Sequence, residues 1–355
     1  MQGENELLIL TTIYDYREEG FTMTNWMKRL LAIALVTSFM LGTGFAVKAE
    51  AAGPVWENGI KKSQDQWVVG ATLPEFKHNF FAAQMQAILD AGKKYGFKVE
   101  VRDGENDPAK QGAIIDEFIV KKVDIILLCP IVKGALVAAV RRANQAGIPV
   151  MILNRTLGDG AETIAYVGAN DYTGGLVQGE LVAETLSAKK GNVILLQGNL
   201  GSSPQINREK GLEDYLAAYP DIKIIRKYPC DFDRSKALAA MQDALMKYPK
   251  GQIDLVVSQD SEMCMTALQA IKAAGRTELL GKIVAFDYPS YVKQNILSGD
   301  FKGTVLQDPY QQAMIGMDAV WFYLSGNEGH IPKPNFFTPL PKVVKSNAAG
   351  FPPSW

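Results

Sequence analysis

Residues 146–155 read AGIPVMILNR, and the fold follows from how this stretch is read. Gly147 suits the left-handed position that ends a helix, and residues 148–153 form an apolar run that takes its fixed φ from a proline. A short apolar run bounded by turn signals suits a parallel strand buried on both faces. It ends in Asn154 and Arg155, two strong hydrogen-bonding side chains placed where the strand leaves the core. In open α/β sheets ligands sit at the carboxyl ends of strands, so polar groups there are site candidates.

Working outward, strands and helices alternate without interruption, which indicates parallel βαβ architecture. Strands are expected at 67–72, 97–102 and 123–129, and a short edge strand at 163–167. Helix 79–95 carries Phe81, Met85, Ile88, Leu89 and Gly92 on one face, and Asp107-Pro108 opens the next helix as an N-cap with proline behind it. The rhythm repeats with strands at 192–197, 222–228, 253–258, 282–286 and 303–306. The helices between them are expected at 171–189, 205–218, 234–248, 261–274 and 289–298, and a last one at 311–324. Pro332, Pro334, Pro339 and Pro341 make the tail a set of extended surface segments. About ten parallel strands are many for one open sheet, so the expected fold class is α/β with two doubly wound parallel-sheet lobes.

Composition narrows the function classes. The chain has 355 residues, 47% hydrophobic, and a net charge of −1, so no positive excess points to nucleic acid or an anionic membrane. Cys129, Cys230 and Cys264 are too few and scattered for a disulfide scaffold or zinc site; an oxidising compartment would allow a Cys230–Cys264 pair, but nothing in the sequence supports that pairing. With His78 and His330 the only histidines, no metal cluster and no cofactor is expected. Met27-Lys28-Arg29, the apolar run 30–47 and the small-x-small patterns at 47–49 and 49–51 describe a Sec-type signal peptide. Residues 1–22 read as polar sequence ahead of a start at Met23 or Met27, and the mature protein is expected to be exported and soluble.

The groups at strand ends carry the chemistry. Arg155, Arg208, Asp260 and Asp287 are planar bidentate groups, Asn154 and Gln307 are amides, and Phe80, Phe81 and Phe232 are exposed-looking aromatics. Vicinal hydroxyls match carboxylates and guanidinium forks, and sugar faces stack on rings. Two arginines and two acids cancel, so a neutral ligand is expected. GNLGSS at 198–203 lacks the spacing of a phosphate-cradling loop, and no nucleophile–base or paired-carboxylate pattern supports hydrolysis. Simpler roles compete: Asp260 and Asp287 as helix caps, the phenylalanines as core, the arginines as salt-bridge residues, His78 as a rim residue and Cys129 as small apolar packing.

The strings HNFFAAQMQAILDAGKKYG (78–96), RRANQAGIPVMILNR (141–155), LLQGNLGSSPQINREKGL (195–212), DFDRSKAL (231–238), SQDSEMCMTALQA (258–270), VAFDYPS (284–290) and VLQDPYQQAMIG (305–316) together resemble the ribose-binding-protein-like periplasmic sugar-binding proteins of ABC importers, whose fold is shared with LacI-type repressor cores. The resemblance covers about residues 66–345. It implies a type I periplasmic-binding-protein fold with a three-crossing hinge: 1–51 as extension and signal peptide, 66–169 plus 308–339 as the N-terminal lobe, and 170–307 plus 340–355 as the C-terminal lobe. It implies a monomer in the periplasm that binds a sugar or polyol and hands it to a permease and ATPase, with a chemoreceptor as a further partner. It also implies that Phe80, Phe81 and Phe232 sandwich the ring, with Arg155, Arg208, Asp287 and Gln307 as polar contacts. Asn154 stands where an acid is usual, and His78, Cys129 and Asp260 each stand where asparagine is usual, which puts ribose itself in doubt. The alternative is a periplasmic sensor that presents a bound sugar or furanose to a chemoreceptor or histidine kinase. A repressor core is excluded because no helix-turn-helix precedes Trp67.

Overall fold

The structure is a computed structural model and describes residues 62–355. The signal-peptide expectation, the start at Met23 or Met27 and the 1–51 segment lie outside the described residues. The first sheet holds β1 (Val68–Leu73), β2 (Lys98–Asp103), β3 (Ile125–Leu128), β4 (Val150–Leu153), β5 (Tyr166–Ala169) and β11 (Asn335–Thr338), in the order β11-β5-β4-β3-β1-β2. All its pairings are parallel. The second holds β6 (Gly191–Gln197), β7 (Ile222–Pro229), β8 (Leu255–Ser258), β9 (Ile283–Val284), β10 (Gly303–Val305) and β12 (Lys342–Val344), in the order β12-β10-β9-β8-β6-β7. Only β12 runs antiparallel to its neighbour.

Helices α1 (Asn79–Tyr95), α2 (Pro108–Lys121), α3 (Val137–Gln145) and α9 (Pro309–Leu324) belong with the first sheet. Helices α4 (Asp171–Thr185), α5 (Ser203–Leu216), α6 (Arg234–Lys247), α7 (Ser261–Ala273) and α8 (Ser290–Ser298) belong with the second. Each sheet is covered on both faces, which is why its strands read as unbroken apolar runs. In β3, Ile125 and Leu127 face one core while Ile126 and Leu128 face the other. In β6, Ile194 and Leu196 alternate in the same way with Val193 and Leu195. The chain passes between the sheets three times: between β5 and α4, between β10 and α9, and between β11 and β12.

Two strand expectations are corrected. The strand near 163–167 begins at Tyr166, and it is not an edge strand, because β11 pairs along its outer side. The proline-flanked tail does more than wrap the surface: residues 335–338 and 342–344 complete the two sheets. The prolines stand outside both segments, so they do not interrupt the ladders. The three cysteines are free and buried, so the Cys230–Cys264 pairing does not form.

Helices α4 and α5 meet backbone to backbone. A Cβ on Gly175 would lie 2.2 Å from the Arg208 carbonyl oxygen, and one on Gly211 would lie 2.2 Å from that of Tyr172. This close approach sets Asp171 beside Arg208.

Candidate functional site

A cavity between the two lobes, about 300 Å³ of empty space including its mouth, is lined by all nine residues singled out from the sequence, together with His78 and Pro204. From the first lobe come Phe80 and Phe81 at the start of α1, and Asn154 and Arg155 after β4. From the second come Arg208 on α5, Phe232 and Asp260 in the turns before α6 and α7, Asp287 after β9, and Gln307 after β10. Three of these hold left-handed backbone without being glycine: Asn154 at φ 59°, Phe232 at 57° and Asp287 at 69°. Such conformations cost about 1–3 kcal/mol each and persist where the surroundings impose them. Here they stand just beyond strand ends, where the chain turns along the cavity wall.

The aromatic groups are buried, not exposed. Phe80 and Phe81 meet edge to face at 5.5 Å, and both also pack in the first lobe's core, so core and cavity roles coexist. Phe232 rests on Gly198, where a Cβ would fall 1.9 Å from the ring. The Arg155 guanidinium lies 5.1 Å from the Phe81 ring centre and 5.2 Å from that of Phe232, bridging rings of both lobes. Among the described residues its one protein hydrogen bond goes from Nη1 to the Ile131 carbonyl at 3.1 Å, and no carboxylate pairs with it. Burial, and secondarily the charge of Arg208, lowers its pKa from the usual value.

Arg208 is held at each of its three nitrogens. Its Nε donates to Asp171 at 2.8 Å, Nη1 to the Gln259 carbonyl and Nη2 to the Gln307 side-chain oxygen at 3.0 Å. It therefore serves both as a salt-bridge residue and as cavity wall. Burial raises Asp171, against the opposing pull of Arg208. With its oxygen taken, Gln307 has an Nε2 that is buried and unpartnered, as is Asp287 Oδ1. Burial pushes Asp287 up to about 7; Arg208 and His78 oppose that shift and Asp260 adds to it. Asp287 does not cap the helix that follows it: its other oxygen accepts from Ser261 N at 3.4 Å, at the start of α7.

Asp260 does cap a helix, accepting from Met263 N at 2.8 Å through Oδ1. Its Oδ2 takes a bond from His78 Nε2 at 2.9 Å across the cleft. His78, read as a rim residue, is 5% exposed. Its N-cap position draws the ring inward, with Nδ1 accepting from Phe80 N at 3.3 Å. Burial disfavours its charged form, but the Asp260 bond and the nearby acids outweigh this and raise its pKa. Asn154 leans away, its Nδ2 donating to Gln312 at 3.0 Å, and Gln312 donates in turn to Thr338. Cys129 lies behind it with Sγ 3.8 Å from Asn154 Oδ1, a buried thiol pushed up to about 12 by desolvation.

Sequence reasoning missed Asp171, the carboxylate that pairs with Arg208. Its only signal was an acid two residues after a buried strand, at the first passage between lobes.

The arrangement offers free donors on Arg155 and Gln307, a free acceptor on Asp287, and aromatic faces from both lobes, enclosed and nearly charge-balanced. Among the described residues no cluster of acids, histidines or cysteines could hold a metal. A xylitol-binding protein of Mycolicibacterium smegmatis is 30% identical over 304 residues, 86% of this chain and 83% of that protein. The ribose import binding protein of Escherichia coli is 30% identical over 260 residues, 73% of this chain and 86% of that one. The crystal structure of an ABC transporter solute binding protein from Bacillus halodurans C-125 with bound myo-inositol aligns with a TM-score of 0.73 and 26% identity, covering 81% of this chain and 98% of that one. Residues 69–328 match the family described as periplasmic binding protein domain, and the chain belongs to that family.

Proposed function

We propose that this chain is the substrate-binding protein of an ABC-type importer, taking a neutral monosaccharide or sugar alcohol into the interlobe cavity and delivering it to a membrane permease. The observation that carries this reading is the pair of buried unpaired atoms Gln307 Nε2 and Asp287 Oδ1, enclosed with the Arg155 guanidinium and phenylalanines from both lobes. A site whose buried polar atoms are satisfied only by ligand hydroxyls rejects analogues that lack them. Groups from two lobes bind the ligand together, so the ligand shifts the open–closed equilibrium by its preference for the closed form. The cavity residues are arranged to bind and orient a ligand. The protein acts in the periplasm as a monomer after export through its signal peptide. The named relatives are import and binding proteins, which supports transport over sensing.

A thermal-shift screen of ribose, xylitol, apiose, myo-inositol and arabinofuranose tests the reading, since a ligand at 100 times Kd adds about 2.7 kcal/mol of stability. For the sugar that binds, Arg155→Ala or Asp287→Ala costs about 2–5 kcal/mol of affinity by calorimetry. Unchanged affinity in both variants removes this site assignment.

A further inference from the structure

Behind the cavity wall, the amino-terminal ends of α1 from the first lobe and α7 from the second face each other. Two carboxylates of the second lobe lie between them. Asp260 holds His78, and Glu262, which does not line the cavity, accepts from Asn79 N at 3.0 Å through Oε1. Asn79 is the first residue of α1, so Glu262 satisfies one of that helix's open N–H groups from the opposite lobe. Negative charge there also complements the α1 dipole. Glu262 is 4% exposed, and its Oε2 is held by Arg234 Nε at 2.8 Å. The Glu262 carboxylate is therefore buried and held at both oxygens, with Arg234 reaching it from an exposed position.

We infer that Glu262 is a positioning residue: with the His78–Asp260 bond it clasps the two lobes and gives the ligand-free chain a populated closed state. Opening strips Glu262 and Asp260 of their partners in the first lobe and returns the first N–H of α1 to water. The clasp thus lowers the free energy of closure before any ligand arrives. The part of the inference that concerns sugar retention rests on the proposed function; the part that concerns closure does not.

The test begins with the ligand-free protein. Small-angle X-ray scattering is compared for the unmodified chain, Glu262→Ala and Glu262→Gln. Glu262→Ala shifts to a larger radius of gyration. Glu262→Gln shifts less, because its amide oxygen still accepts from Asn79 N. Equal radii for the unmodified chain and Glu262→Ala overturn the clasp. Should Glu262→Ala fail to fold, Arg234→Ala, which frees Glu262 from its orienting partner at a half-exposed position, carries the same comparison. In a second arm, xylitol and ribose are titrated by stopped-flow fluorescence. Dissociation from Glu262→Ala is about ten- to a hundredfold faster, the effect of losing one bond to a charged group. A scattering shift with no binding of either probe keeps the clasp and counts against those two ligands. Binding with equal dissociation rates and equal radii keeps the proposed function and removes the clasp.

Discussion

Arg208 Nε donates to Asp171 Oδ1 at 2.8 Å, and neither side chain is more than 6% exposed. The pair joins the start of α4, at the first passage between lobes, to the cavity wall. A buried pair costs most when one partner is removed, because an uncompensated charge remains.

Asp171→Asn is therefore expected to destabilise the protein by about 3–5 kcal/mol in urea titration, although Asp171 does not touch the cavity. The double variant Asp171→Leu/Arg208→Met recovers much of that stability while sugar affinity stays low. If the single variant is as stable as the parent, the pair has no structural role.

The glycines between α4 and α5 give a second prediction. Gly211→Ala places a Cβ 2.2 Å from a backbone oxygen that cannot swing aside. A loss of about 1–3 kcal/mol or more follows, with weaker sugar binding because Arg208 lies on the displaced helix. Gly112→Ala on α2 meets nothing within 4 Å, and it is expected to stabilise by about 0.5–1 kcal/mol.

Asp287 makes stability depend on pH. Its folded-state pKa of about 7 lies above its ordinary value of 3.8, so the folded chain holds a proton that the unfolded chain has released. Stability contributed this way falls as pH rises from about 4 to about 7 and is level above that. His78, also raised, loses its contribution at higher pH, from its ordinary value of 6.5 upward. Denaturant titrations of ligand-free Asp287→Asn are expected to lack the decline between pH 4 and 6 that the parent shows. An identical profile refutes this account.

Gly198 predicts the role of Phe232 without touching the ring itself. Gly198→Ala drives Phe232 from its place, since the two cannot share the space. Sugar affinity then falls by at least about 1 kcal/mol, as it does in Phe232→Ala, and the two effects are not additive. Full additivity in calorimetry would show that Phe232 sits elsewhere when sugar is bound.

Much of this was legible because the fold concentrates its information. Strands covered on both faces are apolar throughout, so Asn154, Arg155, Asp287 and Gln307 stand out as the first polar residues after each run. What was hidden depends on distance along the chain. β11 was invisible because it pairs with β5 about 170 residues earlier and is flanked by prolines that suggest loop. The inward turn of His78 and the two partners of Glu262 rest on contacts between lobes, which no local pattern encodes. Asp171 was passed over because an acid at the start of a helix has an ordinary explanation in the helix dipole.

The order of elements along the chain also bears on how the protein is made. Helix α9 and strand β11, which supply Ala313, Met317 and Val320 to the first lobe's core and cover the outer side of β5, follow the whole run from α4 to β10. During synthesis the second lobe emerges nearly complete, lacking β12 and the final segment that carries Ala348 and Phe351, while the earlier lobe still shows a bare apolar face and an open strand edge. The half that leaves the ribosome first must therefore wait for α9 and β11, made after most of the other lobe, before its own core and sheet edge are closed.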